Sequence, residues 1–426
     1  MDLKKEIKFS DLVPKRKPKE PRAEVEEAPK KEKKPFWKAD LSFKRKPKAE
    51  SFEEEQPKKE KRKRAPREKA PKRAKKLVGL KIGGSQLAAA RVVNNGSPEL
   101  VQVARENLDH GLVVGGELRE PERLAEELRA FFRKHKLPRQ GVRLGIANNR
   151  IGVRIFEIAG IDDPKQLENA IRFRAQEVLP IPIEEAVLDY QVLGDRVDEE
   201  GNTIRRILLV VAYRELIDRY VSACKKAGLR LTGIDLEAFA LLRALATPKE
   251  DEAAPADAAV VVVAIGHDRS TFAVSDGRVC EFTRVLDWGG GTLDVAIARE
   301  LDAAPSEAEP FKRELSLAVD NVPEGLTPEQ ATAAREALRR QLQGFARELV
   351  SSLQFYQNQP GSLGIGEIVI TGGTAHLQGL ADELQKLIGV RVTMGDPLGR
   401  VKLGKKLKET EQVGSLAVAI GLGIED

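Results

Sequence analysis

Residues 78–92 read VGLKIGGSQLAAARV, and how this stretch folds decides the rest. Val78, Leu80 and Ile82 alternate with small or polar residues, as in a strand with one buried face. Gly83-Gly84-Ser85 supply a tight turn, and Leu87-Ala88-Ala89-Ala90-Arg91-Val92 begin a second strand. The pattern predicts a β-hairpin whose turn can hold a phosphate against backbone N–H groups. A hairpin that handles a Mg²⁺-bound phosphate normally ends its first strand on aspartate, because a hard cation takes oxygen ligands. Here that position is Lys81. The choice is between a nucleotide site whose chemistry has changed and one whose chemistry is gone.

Charge along the 426-residue chain is uneven, which says more than its total of +6. Residues 1–76 hold 29 Lys/Arg against 15 Asp/Glu, whereas the rest of the chain holds 43 against 51. The first segment also has nine prolines, no glycine and few clustered apolar residues, so it cannot bury enough surface to offset chain entropy. We read 1–76 as a disordered basic arm on a mildly acidic body. Within it, DLVPKRKPKEPRAEVEE (11–27) returns as DLSFKRKPKAESFEEE (40–55), a repeat that serves either as a docking motif or as drift in biased composition. Residues 58–76 carry twelve Lys/Arg in nineteen positions, a stretch suited to anionic lipid headgroups or nucleic acid, or else a solvated linker. That run has no aromatic residue, which argues against base stacking on single strands.

Cys224 and Cys280 fall inside apolar patterns and read as buried thiols. No apolar run approaches the length of a bilayer span, and no signal-peptide core follows the first charges. On these features the chain is expected to stay in the cytoplasm.

From Leu77 the pattern is α/β. Strand-like runs at 100–104, 142–147, 152–158, 187–193, 204–213 and 229–236 alternate with helical periods at 121–135, 164–179, one running through Ala223 to Gly228, and 237–245. TPKEDEAAPAD (247–257) reads as a linker. Then VVVAIGHDRSTFAV (261–274) repeats the opening hairpin: Ala264 aligns with Lys81, Ile265 with Ile82, and Gly266 with Gly83. Two copies of one hairpin, each opening an α/β half, predict duplicated lobes, 77–246 and 258–426, with a cleft between them. A long helix over 328–358 has an apolar stripe of Leu338, Leu342, Phe345, Leu349 and Leu353. The strand EIVIT then meets Thr371-Gly372-Gly373, where backbone can approach a flat ligand.

Two hairpins and a late glycine turn resemble the actin-like ATPase superfamily. Within it the chain is most similar to the PilM family of type IV pilus assembly proteins, relatives of the FtsA division proteins. The segments that carry the resemblance are RFRAQEVLPIPIEEAVLDYQVLGD (172–195), AGLRLTGIDLEAFALLRAL (227–245), DGRVCEFTRVLDWGGGTLDVAIAREL (276–301), ELVSSLQFYQNQPGSLGIGEIVITGGTAHLQGL (348–380) and GSLAVAIGLG (414–423). The arm has no counterpart in the usual pattern.

The resemblance implies an actin-like two-lobed α/β fold with a small subdomain inserted at about 150–213. It implies ATP in the cleft, at Lys81, Gly83, Gly84, Ser85, Gly266, Gly372 and Gly373; Glu348 holds the helix position that could reach a ribose hydroxyl, or else is an ordinary exposed helix glutamate. It also implies a groove beside the insert, involving Ala175, Val178, Leu179 and Tyr190, for the cytoplasmic peptide of a PilN-like inner-membrane protein. The expected product is a cytoplasmic scaffold or ring, peripheral to the inner membrane, that couples this partner to the pilus motor ATPase.

The departures matter as much. The family's hairpins usually read Asp-Ile-Gly, but these read Lys81-Ile82-Gly83 and Ala264-Ile265-Gly266. Without both carboxylates Mg²⁺ loses its organising ligands, and charge neutralisation and water positioning are most of phosphoryl-transfer catalysis. ATP can still bind if Lys81 supplies part of the metal's charge. The competing reading is a strand-end lysine in solvent beside an empty cleft. His267 and Asp268 sit where they could touch phosphate, whereas the scattered histidines form no metal pattern. Gly289-Gly290-Gly291 reads as a helix start, since a P-loop lysine is missing. The leading expectation is a non-catalytic pilus scaffold. The alternatives are an actin-fold ATPase or sugar-kinase relative, and a nucleic-acid binder acting through its arm, which the acidic body disfavours.

Overall fold

The structure, a computed structural model, describes residues 75–426 apart from 162, 179–181, 198–200, 247–257, 278, 360, 406, 408–412 and 426. Both arm repeats, most of the 58–76 charge run and the 247–257 linker lie outside the described residues. The first strand starts at Lys75, so Lys75 and Lys76, read above as arm, pair with Asn94 and Val93 of the second strand.

β1 (Lys75–Ile82), β2 (Gln86–Asn95) and β3 (Ser97–Asn107) form an antiparallel meander. A short hairpin, β4 (Val113–Val114) and β5 (Glu117–Leu118), leads to α1 (Pro121–Lys134), whose Leu124, Leu128, Phe131 and Phe132 are buried. β6 (Gln140–Ile146) then enters parallel to β1. The chain next leaves this sheet to build a separate one from β7 (Ile151–Ala159), β8 (Ala186–Val197) and β9 (Thr203–Tyr213), with α2 (Pro164–Val178) between β7 and β8 in sequence. It returns through α3 (Arg214–Lys226) and β10 (Arg230–Leu236), parallel to β6, and ends the half with α4 (Glu237–Leu245).

The second half repeats the plan. β11 (Ala258–Ile265), β12 (Ser270–Ser275) and β13 (Cys280–Leu286) form the meander. Helices α5 (Gly290–Leu301), α6 (Pro305–Glu314) and α7 (Pro328–Gln357) follow, and β14 (Gly364–Thr371) enters parallel to β11. After α8 (Leu380–Ile388) and β15 (Val392–Met394), the short β16 (Lys402–Leu403) pairs with β3, and α9 (Ala417–Gly423) closes the chain.

The duplication expected from the two hairpins holds in strand order: β3-β2-β1-β6-β10 in one sheet, β13-β12-β11-β14-β15 in the other. It also holds in register. Lys81 pairs with Ala88 across its hairpin and Gly145 on its parallel side; Ala264 pairs with Thr271 and Thr371. Each turn closes on the same bond, from Gly83 N to Gln86 O at 2.9 Å and from Gly266 N to Arg269 O at 3.0 Å.

Two helices join the sheets. α9 packs on β2 through Ala419 and Ile420 against Ala88, Ala90 and Val92. α4 sets Ala240 and Leu241 against Val262, Ala264 and Val369 of the second sheet and against Val418 and Leu422 of α9. In α7 the predicted stripe of Leu338, Leu342, Phe345, Leu349 and Leu353 is buried, and Phe345 stacks on Trp288 with ring centres 4.1 Å apart. Each such side chain contributes about 1.5–3 kcal/mol by leaving water, so this stripe is a principal support of the second half. Thr327 caps α7, accepting from Gln330 N, and the Gln330 side chain accepts from Thr327 N in return.

Candidate functional site

Duplicated hairpins bring two glycine turns to one place. Lys81, Gly83, Gly84, Ser85, Gly266, Gly372 and Gly373 all line a cavity of about 530 Å³ between the halves. Glu348 does not: it is exposed on α7, away from the lining residues. Helical side chains that line the cavity include Glu237 of α4 and Glu309, Lys312 and Arg313 of α6, which sequence reading missed.

Lys81 is not a solvent-facing strand end. Its ammonium lies 3.6 Å from the carboxylate of Glu237, the first residue of α4, whose side chain is only 3 % exposed. On the other side of Glu237 stands Arg269, 6 % exposed, also at 3.6 Å. Arg269 is in turn 3.7 Å from Asp268. Burial opposes the Arg269 charge, but the Glu237 and Asp268 carboxylates outweigh it and hold the guanidinium above its usual pKa. All three separations exceed direct hydrogen-bond length, and Glu237 Oε1 and Arg269 Nη1 have no hydrogen-bond partner.

Asp268 does more than balance charge. Its Oδ2 accepts from Gly115 N at 2.9 Å, in the β4–β5 turn of the first half. Its carboxylate also presses on Gly84, where a Cβ would lie 2.7 Å from the carboxyl carbon. Neither contact was visible from the sequence, which offered only an acidic residue after a glycine turn.

A second charged group sits beneath the other turn. Lys312 pairs with Asp294 at 2.6 Å and donates to the Gly290 carbonyl at 3.1 Å. Burial raises the Asp294 pKa against the pull of Lys312. His267 lies 4.0 Å from Asp294 and faces His110 of the first half, with ring centres 4.9 Å apart. Burial, then the neighbouring His110, lowers the His267 pKa, and Asp294 opposes them. Gly289-Gly290-Gly291 starts helix α5 as expected; its first amides are taken, Gly290 N by Gly266 O and Gly291 N by His267 O. Thr374 Oγ1 donates to Gly266 O at 2.8 Å, tying the late glycine turn to the second hairpin.

The expected peptide groove divides differently. Ala175 has no exposed surface: it is core, packed with Leu167, Ile171, Ile207 and Leu209 of the insert, so it cannot touch a partner. Leu179 and the side chain of Val178 lie outside the described residues. Tyr190 is 38 % exposed on the edge strand β8, two residues from exposed Val192, and α2 exposes Phe173. The insert reaches the second half through Arg206, 2.9 Å from Glu281, which also accepts from the Tyr356 hydroxyl at 2.5 Å.

Among the described residues no His, Cys, Asp and Glu cluster could hold a metal ion, and no helix is long and apolar enough to cross a membrane. Both cysteines are buried, and burial pushes each thiol up to about 12.

A family model described as type IV pilus assembly protein PilM matches residues 79–426. Among curated proteins, the cell division protein FtsA of Escherichia coli K12 is 26 % identical over 251 residues, covering 54 % of this chain and 58 % of FtsA. The match thus spans little more than half the length of the curated relatives. Among solved structures, a PilM-PilN type IV pilus biogenesis complex superposes with a TM-score of 0.67 at 26 % identity, covering 82 % of this chain and 97 % of that one. The fold is the actin-like two-lobed α/β fold with an inserted subdomain.

Proposed function

The chain belongs to the type IV pilus assembly protein PilM family, and from that premise we propose that it is a cytoplasmic scaffold of the pilus machine. Its task is to dock the cytoplasmic peptide of a PilN-like inner-membrane protein and to couple that protein to the motor ATPase. The observation that carries this reading is the likeness to the PilM-PilN complex, which runs through 97 % of that chain. An edge strand with exposed Tyr190 and Val192 suits an extended peptide, whose main chain pairs with the strand while apolar side chains fill the neighbouring surface. Attachment to the membrane then comes through the partner. The Lys/Arg run at 58–76 adds salt-sensitive attraction to anionic headgroups, and ring formation would multiply both contacts.

The cofactor chemistry of the superfamily fits these residues poorly. Mg²⁺ would need carboxylates at the strand ends, where Lys81 and Ala264 stand. A triphosphate would need the glycine turn that Asp268 covers, and the cations nearest to it are matched by Glu237 and Asp268. Open glycine backbone remains at Gly373, where an adenosine would sit, whereas Gly372 is closed on by the Ile265 backbone. The scaffold reading is tested in the cell that encodes the chain. Deleting the chain should remove surface pili, and a copy carrying Gly373→Trp, at a position with room for a side chain, should restore them. Failure of that copy, while it folds and accumulates normally, would return ATP to the centre of the function.

A further inference from the structure

The last two residues of the second hairpin turn, Asp268 and Arg269, send their side chains into the first half. Arg269 is almost fully buried there, between Glu237 at 3.6 Å and the backbone of Gly116. A Cβ on Gly116 would lie 3.0 Å from Arg269 Nη1, and its φ of +78° is one that side chains rarely adopt. Asp268 meets Gly84 and the Gly115 amide. Two glycine turns of one half thus receive two consecutive, oppositely charged side chains of the other.

We propose that Asp268-Arg269 is an interlobe latch, which holds the cleft closed in place of a metal-bound nucleotide. In a nucleotide-clasped cleft the charge between the lobes belongs to the ligand. Here a chain of fixed charges, Lys81, Glu237, Arg269 and Asp268, alternates in sign across the same gap and cancels without a ligand. Buried ion pairs add little to stability over apolar packing, but separating them is costly, because each leaves an uncompensated charge. Such a group favours one relative placement of the lobes over others. Lys81 has a place in this account: a carboxylate at that position would face Glu237 and break the alternation.

The inference is independent of what the insert binds. Failure to bind a pilus peptide would leave it standing, and its own failure would leave the docking reading untouched.

The test is a distance between spin labels on the full chain, one at Glu126 of α1 and one at Asp382 of α8, both exposed and each replaced by cysteine. Native Cys224 and Cys280 are buried and compete poorly for label. The latch predicts one narrow distance distribution, unchanged by millimolar Mg²⁺-ATP. Asp268→Ala should add a population at longer separation. If that variant does not fold, Gly84→Ala serves instead. It keeps every charge and displaces the Asp268 carboxylate by a single methyl group. A wild-type distribution that shifts on adding Mg²⁺-ATP would overturn the proposal. So would a folded variant with the wild-type distribution.

Discussion

Lys81 Nζ stands 3.6 Å from the Glu237 carboxylate, so the lysine at the metal-organising position turns inward, onto the first residue of α4. Glu237 is held there for two reasons. A carboxylate at a helix N-terminus is favoured by the helix dipole, and Arg269 attracts it from the opposite side. The lysine therefore takes part in the fold's own charge balance.

Steady-state ATP hydrolysis should not rise above a protein-free control with Mg²⁺ present. Lys81→Asp alone should not restore it, because Ala264 still offers no second ligand and Asp268 still covers Gly84. A coupled assay of both proteins checks this, and turnover by either would contradict it.

The sequence made the duplicated architecture legible because each hairpin carries a local signature: alternating apolar residues, a glycine turn and a second strand. Strand pairs and the α7 stripe depend on the same short-range patterns, and they appear where periodicity puts them. The cavity chemistry was less legible. Arg269 and Glu237 are far apart in sequence, and each looks like an ordinary charge at the edge of an element. One available signal was a lone glutamate opening the helix Glu237–Leu245, which is apolar apart from Arg243. Family positions carried over also need the helix phase: it turns Glu348 to solvent, the plainer of its two readings, and Ala175 into the insert's core.

Acid should loosen the cleft. Burial holds His267, and likewise His376, below the ordinary histidine pKa of 6.5, so the unfolded chain binds more protons than the folded one as pH falls past that value. Their contribution to stability is complete above 6.5 and is lost as pH drops through the lowered folded values. The groups facing His267 are His110, Asp268, Asp294 and Lys312; the two carboxylates oppose the shift. Thermal melting between pH 7.5 and pH 5 should show a falling midpoint, with a shallower slope in His267→Gln. Equal slopes would place the pH sensitivity elsewhere.

Arg335 should be among the costliest side chains to remove. It is buried, with Nε donating to Ser316 O at 2.9 Å and Nη2 to Asn321 O at 2.6 Å, and so it pins the loop between α6 and α7. Arg335→Ala leaves both carbonyls without a donor, and a loss of about 2–4 kcal/mol is expected. Urea titration measures it; a change below 1 kcal/mol (roughly the worth of an exposed pair) would mean the loop is held otherwise.

Two insert variants should separate docking from folding. Ala175→Trp overpacks a closed core and should destabilise the insert, by about 1–3 kcal/mol or more. Tyr190→Asp, at an exposed position, should leave the melting midpoint nearly unchanged while weakening peptide binding. The same loss of binding and stability in both would argue against a docking surface on β8.

The most direct measurement of the scaffold account is calorimetric titration of the full chain with the amino-terminal cytoplasmic peptide of its PilN-like partner. The account predicts saturable one-site binding, unaltered by Mg²⁺-ATP and strongly reduced by Tyr190→Asp. No binding by the folded chain, or binding that appears only with Mg²⁺-ATP, would contradict it.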